Sequence, residues 1–361
     1  MRKENGMQRW IDTRGGSSRY SQGQAMSLCS QSSGSLWSLV LAGGHGERLR
    51  EYTEQCFGAY RPKQYCTFMG KRSMIQHTWR RAKALCLPHQ VVTVMDQSHW
   101  GYVRTQLIQE PLGRVVWQPD NRGTGPGVFL PLSYIRAHDP QATVVLWPSD
   151  HFIFPVEPMI QVVRDAAALV QQHSHRMVLL TVPPQSREQD YGWVIPGNCL
   201  PHPGGMQVRE VRRFVEKPQG NQLEDIALSG GQWNTLVLIA NVQTLWEAGR
   251  QCIPEVVMPL EEHAGGIGTS REHQRLLHLY RTMPTRNFSS DLLSLIPQHL
   301  HMMDLTGVYW SDWGRPERIQ ETIACMRRGD LCGVDSESVG RFWVKSRKNE
   351  TVQDAFTVIM G

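Results

Sequence analysis

The first sustained run of apolar positions starts at Leu36. Leu36-Trp37-Ser38-Leu39-Val40-Leu41-Ala42 is of strand length and stops at Gly43-Gly44, which predicts a buried strand feeding a glycine turn. Short apolar runs at 90–95 (QVVTVM), 114–117 (RVVW), 143–147 (TVVLW) and 177–182 (MVLLTV) predict further strands. Helical patterns lie between them. Ser73-Met74-Ile75-Gln76 reads as a capping box opening a helix that runs to about Leu85. Val156, Ile160, Val163, Ala167 and Val170 share one face of a helix over 156–172. Apolar strands alternating with helices predict an α/β fold, its mostly parallel sheet covered on both faces. After about residue 200 the alternation breaks down: 208–215 and 235–240 read as strands, and helices dominate 241–296. Residues 1–35, rich in Ser, Gly, Gln and Arg, carry neither period and are expected to form a flexible basic tail. The expected organisation is that tail, one domain over 36–330 with halves 36–200 and 201–330, and a short packed tail over 331–361.

Composition narrows the function classes. In 361 residues, 40% hydrophobic and 20% charged side chains exclude a disordered chain. The net charge is +5, but residues 1–36 carry +3 of it, so the body is too weakly basic for a nucleic-acid groove. No pair among the eight cysteines has C-x-x-C spacing, which argues against a zinc site, and a disulfide framework is not expected. The first thirty residues hold no apolar signal-peptide core, and no apolar run is long enough to span a bilayer. A reducing cytoplasm is the expected location, with no membrane partner.

The candidate chemistry begins at the glycine turn. Leu41-Ala42-Gly43-Gly44-His45-Gly46-Glu47-Arg48-Leu49 is followed fifteen residues after Arg48 by Lys63 in Arg61-Pro62-Lys63-Gln64. Glycines directly after a strand let backbone N–H groups approach a phosphate, and Arg48 and Lys63 supply positive charge. A dinucleotide fingerprint would need a third glycine where Leu49 stands, and the Walker pattern is absent. Asn121-Arg122-Gly123-Thr124-Gly125-Pro126-Gly127 forms a polar, glycine-rich loop after the strand at 114–117, at the carboxyl edge where α/β sheets bind ligands. In Trp147-Pro148-Ser149-Asp150-His151 a carboxylate stands just past a buried strand, a costly position that a hard Mg²⁺ ion would relieve. Each feature also has a plain reading: a strand-to-helix turn, a surface loop, a surface pair for Glu216-Lys217, and a structural hydrogen-bonder for His151.

Several separated motifs in order resemble the sugar nucleotidyltransferases, over roughly residues 37–325. The glycine turn resembles that family's Gly-Gly-x-Gly-x-Arg-Leu signature, and Pro62-Lys63-Gln64-Tyr65 and Asn121-Arg122-Gly123-Thr124 resemble the forms found in mannose-1-phosphate guanylyltransferases. The resemblance implies a Rossmann-like nucleotide-diphospho-sugar transferase fold with a smaller α+β sugar-binding part. It assigns phosphate chemistry to Arg48 and Lys63 and nucleotide contacts to Leu41, Ala42, Gly43, Gly44, Gly46, Asn121, Gly123 and Thr124. Asp190-Tyr191-Gly192-Trp193, Phe214-Val215-Glu216-Lys217-Pro218 and Trp233-Asn234 resemble the sugar-phosphate elements, which implies roles for Tyr191, Gly192, Glu216, Lys217 and Asn234. Trp310-Ser311-Asp312-Trp313-Gly314 resembles the motif whose Asp completes an Mg²⁺ site with Asp150. Phe288-Ser289-Ser290-Asp291 is a looser match to an element that supports the pocket lysine. The chain departs from the family at Glu51-Tyr52-Thr53 (usually Pro-Leu then Ser or Thr), at Gly125 (usually Ala) and at Leu236 (usually Gly).

The implied reaction joins a nucleoside triphosphate, expected to be GTP, to a sugar 1-phosphate, expected to be mannose 1-phosphate, with Mg²⁺ as cofactor. Another hexose or triphosphate, or a non-catalytic nucleotide-sugar sensor on the same fold, are the alternatives. Assembly as a homo-oligomer stays open.

Overall fold

The computed structural model describes residues 34–110, 113–201, 207–329 and 331. All of the tail expected over 331–361 except residue 331, and all but two residues of the one over 1–35, lie outside the described residues. Gly34 and Ser35 already belong to the body: Thr143 N–H donates to Ser35 O, and Ser35 N–H donates to Asp139.

Eleven strands are present among the described residues: β1 (Leu36–Ala42), β2 (Val91–Asp96), β3 (Arg114–Gln118), β4 (Thr143–Pro148), β5 (Phe152–Phe154), β6 (Met177–Val182), β7 (Gly192–Leu200), β8 (Val208–Glu216), β9 (Gln232–Asn241), β10 (Leu300–Asp304) and β11 (Tyr309–Ser311). Nine form one sheet in the order β3-β2-β1-β4-β9-β6-β10-β8-β7, and β5 and β11 form a separate two-stranded ladder. β3, β2, β1 and β4 run parallel, as the alternating pattern predicts. Beyond β4 the sheet is mixed. β9 enters between β4 and β6 antiparallel to both, and β8 and β7 continue antiparallel. The expected mostly parallel sheet is therefore corrected to a mixed one within an α/β architecture.

The physical reason lies in connections. A parallel neighbour needs a long crossover, usually a helix, and the helical crossovers stop supplying one after β6. β7 was not legible because Gly192, Pro196 and Gly197 interrupt its pattern, and register shifts flank Pro196. The loop expected at 121–127 is also corrected: from Thr124 it is the first turn of a helix, Thr124–His138. Pro126 is tolerated there because first-turn N–H groups have no intrahelical partner.

Strand side chains alternate between two cores, as a sheet buried on both faces requires. Leu39, Val144 and Leu146 join one core with Phe129, Trp246 and Phe288. Val40, Val145 and Trp147 join the other with Ile75, Trp79 and Val163. The expected capping box is present, with Ser73 and Gln76 bonding reciprocally at the start of Met74–Lys83. The first core holds the Thr124–His138 helix against the helix Val242–Cys252. A Cβ at Gly249 would lie 2.3 Å from the Phe129 ring. Gly249→Ala gains about 1 kcal/mol of helix propensity, but overpacking against a rigid ring costs about 1–3 kcal/mol. The expected result is a lower urea midpoint with an unchanged slope.

Candidate active site

β1 ends in the glycine turn, and the turn is held from below. Gln64, 3% exposed, donates through Nε2 to Ala42 O (3.1 Å) and Gly44 O (2.7 Å). Gly46 has φ +70°, and a Cβ there would lie 3.3 Å from the Lys63 backbone N, so the left-handed turn packs directly on the Pro62-Lys63 segment. Across the opening, Asn121 Nδ2 lies 3.4 Å from Gly43 O while its Oδ1 accepts from Gly123 N–H. Thr124 Oγ1 accepts from Phe288 N–H, and Gly125 N–H donates to Arg286 O.

These contacts frame a cleft of about 470 Å³ lined by Leu41, Gly43, Gly44, Gly46, Asn121, Gly123 and Thr124, together with Asp150. Seven of the eight expected nucleotide residues thus share one opening. Ala42 is 1% exposed and does not line it. Gln64, Gln118 and the turn Thr285–Asn287 also line it, and sequence reasoning assigned none of them to the nucleotide. Asp291, matched to a lysine-supporting element, instead accepts from Asn287 N–H and steadies that turn. Asn287 is the helix cap there.

The acidic centre lies beside the cleft. β5 and β11 pair antiparallel with Phe152 opposite Ser311, which brings Asp150 and Asp312 to the same end of the ladder. Phe152 stacks on Trp313 at 4.9 Å and closes that end. Lys63, 6% exposed, places Nζ 3.0 Å from Asp150 Oδ2 and donates to the backbone oxygen of Asp312. Asp312 Oδ1 accepts from Tyr191 OH (3.0 Å), Arg318 Nη1 (2.7 Å) and Gly314 N–H (2.9 Å). Arg318 also reaches Glu188 at 2.6 Å and lies over the Tyr191 ring. Burial alone would raise both carboxyls, yet each is held below the ordinary carboxylate range, chiefly by the Lys63 charge and for Asp312 also by Arg318. Burial holds His151 below the usual histidine value, so it is neutral at pH 7. Glu188 and Arg318 were not singled out from the sequence, where they read as ordinary surface charges.

The expected sugar-phosphate residues gather on β7, β8 and β9. Gly192 sits opposite Glu216 in the register, and a Cβ on it would lie 2.8 Å from Glu216 Oε2 and 3.5 Å from Asn234 Cβ. Lys217 adopts φ +48°, its N–H donates to Tyr191 O, and its Nζ is 3.9 Å from Glu216. None of these five residues lines the cleft. Tyr191 turns its hydroxyl to Asp312 and so couples this group to the acidic centre. Arg48 is exposed, and among the described residues it has no hydrogen-bond or ion-pair partner; its charge acts on Glu216. Leu236 has φ +62°, held by its N–H donating to Asn234 Oδ1, and lines the cleft rather than the sugar group.

A glycine turn and a helix start facing a paired-carboxylate centre at the carboxyl edge of an α/β sheet define a phosphate-handling α/β protein. The nucleotidyl transferase family model matches residues 37–327, and the chain belongs to that family. The resemblance to sugar-1-phosphate nucleotidyltransferases is thereby borne out. A mannose-1-phosphate guanylyltransferase of Klebsiella pneumoniae is 28% identical over 202 residues, 55% of this chain and 41% of that protein. One of Escherichia coli (strain K12) is 22% identical over 306 residues, 83% of this chain and 62% of that protein. The chain spans about half the length of the curated relatives it matches. A solved structure from Thermus thermophilus, described as a mannose-1-phosphate geranyltransferase, superposes with a TM-score of 0.65 at 20% identity, covering 83% of this chain and 80% of that one. That likeness is one of fold. Among the described residues no helix is long and apolar enough to cross a membrane.

Burial raises the Glu216 carboxyl above its ordinary value, with Lys217 and Arg48 drawing it back. A carboxyl whose folded pKa exceeds its unfolded one lowers stability above that pKa, and the penalty vanishes as pH falls below the unfolded value. Glu216→Gln is therefore expected to raise the thermal midpoint of the ligand-free chain at pH 7. The gain should shrink as pH falls towards about 4.

Proposed function

We propose that this chain transfers a nucleoside monophosphate from a triphosphate to a sugar 1-phosphate and releases pyrophosphate. GTP and mannose 1-phosphate are the proposed substrates, on the strength of the Asn121–Thr124 and Pro62–Tyr65 motifs and the names of the relatives above. The observation that carries the reading is the buried Lys63 ammonium held 3.0 Å from Asp150 and bonded to the Asp312 backbone, beside a cleft lined by the glycine turn. Two carboxylates kept ionised in a mostly buried centre are a donor set suited to a hard divalent ion such as Mg²⁺. Asp150 and Asp312 would hold it, and when bound it supplies charge neutralisation at the phosphate undergoing attack.

The chain's own residues do the remaining work. Backbone N–H groups of Gly43–Gly46 and the start of the Thr124–His138 helix bind the triphosphate. Arg48, unpaired and next to Glu216, is free to swing onto the phosphates. Tyr191, Arg318 and Gly314 N–H fix the orientation of Asp312. Glu216 and Asn234 offer hydrogen bonds to sugar hydroxyls, and Lys217 neutralises the sugar's phosphate. The sugar-phosphate oxygen attacks the α-phosphorus in line and pyrophosphate leaves. Attacking and leaving groups are both ionised, so alignment and charge neutralisation suffice and no general base is required.

Pyrophosphate release across a matrix of triphosphates and hexose 1-phosphates tests the reading, with the highest kcat/KM expected for GTP with mannose 1-phosphate. Asp150→Asn and Asp312→Asn should each abolish Mg²⁺-dependent turnover, and Lys63→Ala should lose about 10²–10³ in kcat. No release with any pair, or an unaffected Lys63→Ala chain, would refute the assignment. Leu236→Gly, which empties part of the cleft, is expected to change KM for the triphosphate more than for the sugar phosphate. A change confined to hexose preference would mean that the side chain faces the sugar.

A further inference from the structure

The transfer reaction leaves one side chain of the glycine turn unused. His45 stands between Gly44 and Gly46, its ring edge-on to His99 with centroids 5.3 Å apart. Its Nε2 is 3.5 Å from Asp96 Oδ2. Asp96 ends β2, and its other oxygen is occupied by the Ser98 N–H (2.8 Å) and hydroxyl (2.6 Å), which fixes the carboxylate. His99 lies in the turn after β2 and is 2% exposed. The Tyr65 hydroxyl occupies its Nδ1 at 3.2 Å. The Nε2 atoms of both His45 and His99 are buried without a hydrogen-bond partner. One ligand-capable atom from each of His45, Asp96 and His99 lies within 4.8 Å of the others.

A buried ring nitrogen with no partner is costly, and two of them, on histidines grouped with one carboxylate, call for a common partner. Two neutral imidazoles and a carboxylate are the protein ligands of a three-ligand zinc site, with water completing the tetrahedron. A ligand histidine usually has its second nitrogen bonded elsewhere, as Tyr65 bonds His99 here. In a tetrahedral site with donors about 2.0–2.2 Å from the ion, the donors stand about 3.3–3.6 Å apart, so the three atoms, within 4.8 Å of one another here, close by up to about 1.5 Å as the half-exposed turn carrying His45 moves in. Imidazole donors disfavour Mg²⁺, which prefers oxygen.

We propose that His45, Asp96 and His99 bind one borderline divalent transition-metal ion, of the chemistry of Zn²⁺ or Co²⁺, at a site separate from Asp150 and Asp312. The ion would tie the glycine turn to the end of β2 and pre-order the backbone that faces the cleft. This inference does not depend on the transfer reaction or its substrates.

Co²⁺ titration of the full, chelator-stripped chain tests it. The expected result is uptake of one equivalent with the strong visible absorption of four-coordinate cobalt, erased by Zn²⁺. Asp96→Asn and His99→Ala should weaken binding by at least about 10–100-fold, the loss that even an outer partner of a ligand causes. His45→Ala, on a turn whose side chain is 39% exposed, removes a ligand without touching the core, with circular dichroism as the check on folding. Asp150→Asn and Asp312→Asn should leave the band in place. The proposal is overturned if the native chain develops no such band. It is equally overturned if the band survives in both His45→Ala and His99→Ala, or disappears with Asp150→Asn instead.

Discussion

Three residue pairs of antiparallel backbone, Phe152–Phe154 against Tyr309–Ser311, hold together two carboxylates that stand 162 positions apart in the chain. A ladder this short is not stable alone. Its stability comes from the small core around it, where Leu49, Cys66, Phe68, Met74, Trp313 and Ile319 are buried and Phe152 packs against them. Leu49 follows Arg48, Cys66 follows the Lys63 turn, and Trp313 follows Asp312. One cluster of apolar contacts therefore positions the glycine turn, the buried lysine and the second carboxylate together. Disrupting that packing would displace all three chemical groups at once.

The charges at this centre explain why it is built so heavily. Two carboxylates near one another in a mostly buried place repel, and each would take up a proton if nothing opposed burial. Lys63 opposes it from between them, and Arg318, tied to Glu188, opposes it from behind Asp312. Tyr191 adds a hydroxyl and its ring face under Arg318, so the aromatic cluster Tyr191-Trp233-Trp310 serves electrostatics as well as packing. Gly314 permits the arrangement, since a Cβ there would lie 2.4 Å from Asp312 Oδ2. The outcome is a pair of carboxylates kept ionised by Lys63 and Arg318.

Most of the cleft lining was legible from sequence because its signals are local. A strand that ends in glycines, a lysine beside proline and an aspartate at a strand end each announce themselves within a few residues. The parallel half of the sheet was legible for the same reason, since hydrophobic period and length suffice for β1 to β4. What was not legible depends on distant partners. β5 and β11 are three residues each, too short for a period to register, yet they bring the two aspartates together. Gln64 reads as a plain polar residue until its amide is seen under the carbonyls of Ala42 and Gly44. The first turn of the Thr124–His138 helix was read as a loop because two glycines and a proline outweigh helical signals in any local account.

Two of the three departures from the family pattern bear on the cleft, while Glu51-Tyr52-Thr53 lies in the helix Arg50–Phe57 and does not line it. Gly125 stands where relatives commonly have alanine, and a Cβ there would lie 3.0 Å from Arg286 Cβ and 3.1 Å from Arg286 O. The glycine thus allows the Thr285–Asn287 turn to press on the helix start, where the Arg286 carbonyl accepts from Gly125 N–H. Leu236 stands where relatives commonly have glycine and occupies a left-handed conformation that costs a branched or bulky residue about 1–2 kcal/mol. Arg286 and Leu236 both line the same cleft. At Gly125 the lack of a side chain admits the Arg286 turn, and at Leu236 a side chain lines the cleft despite backbone strain. Lys63, Asp150 and Asp312 stay joined to one another beside that cleft. The cleft walls at Gly125 and Leu236 and the charges at Lys63 and Asp312 are thus set by different residues.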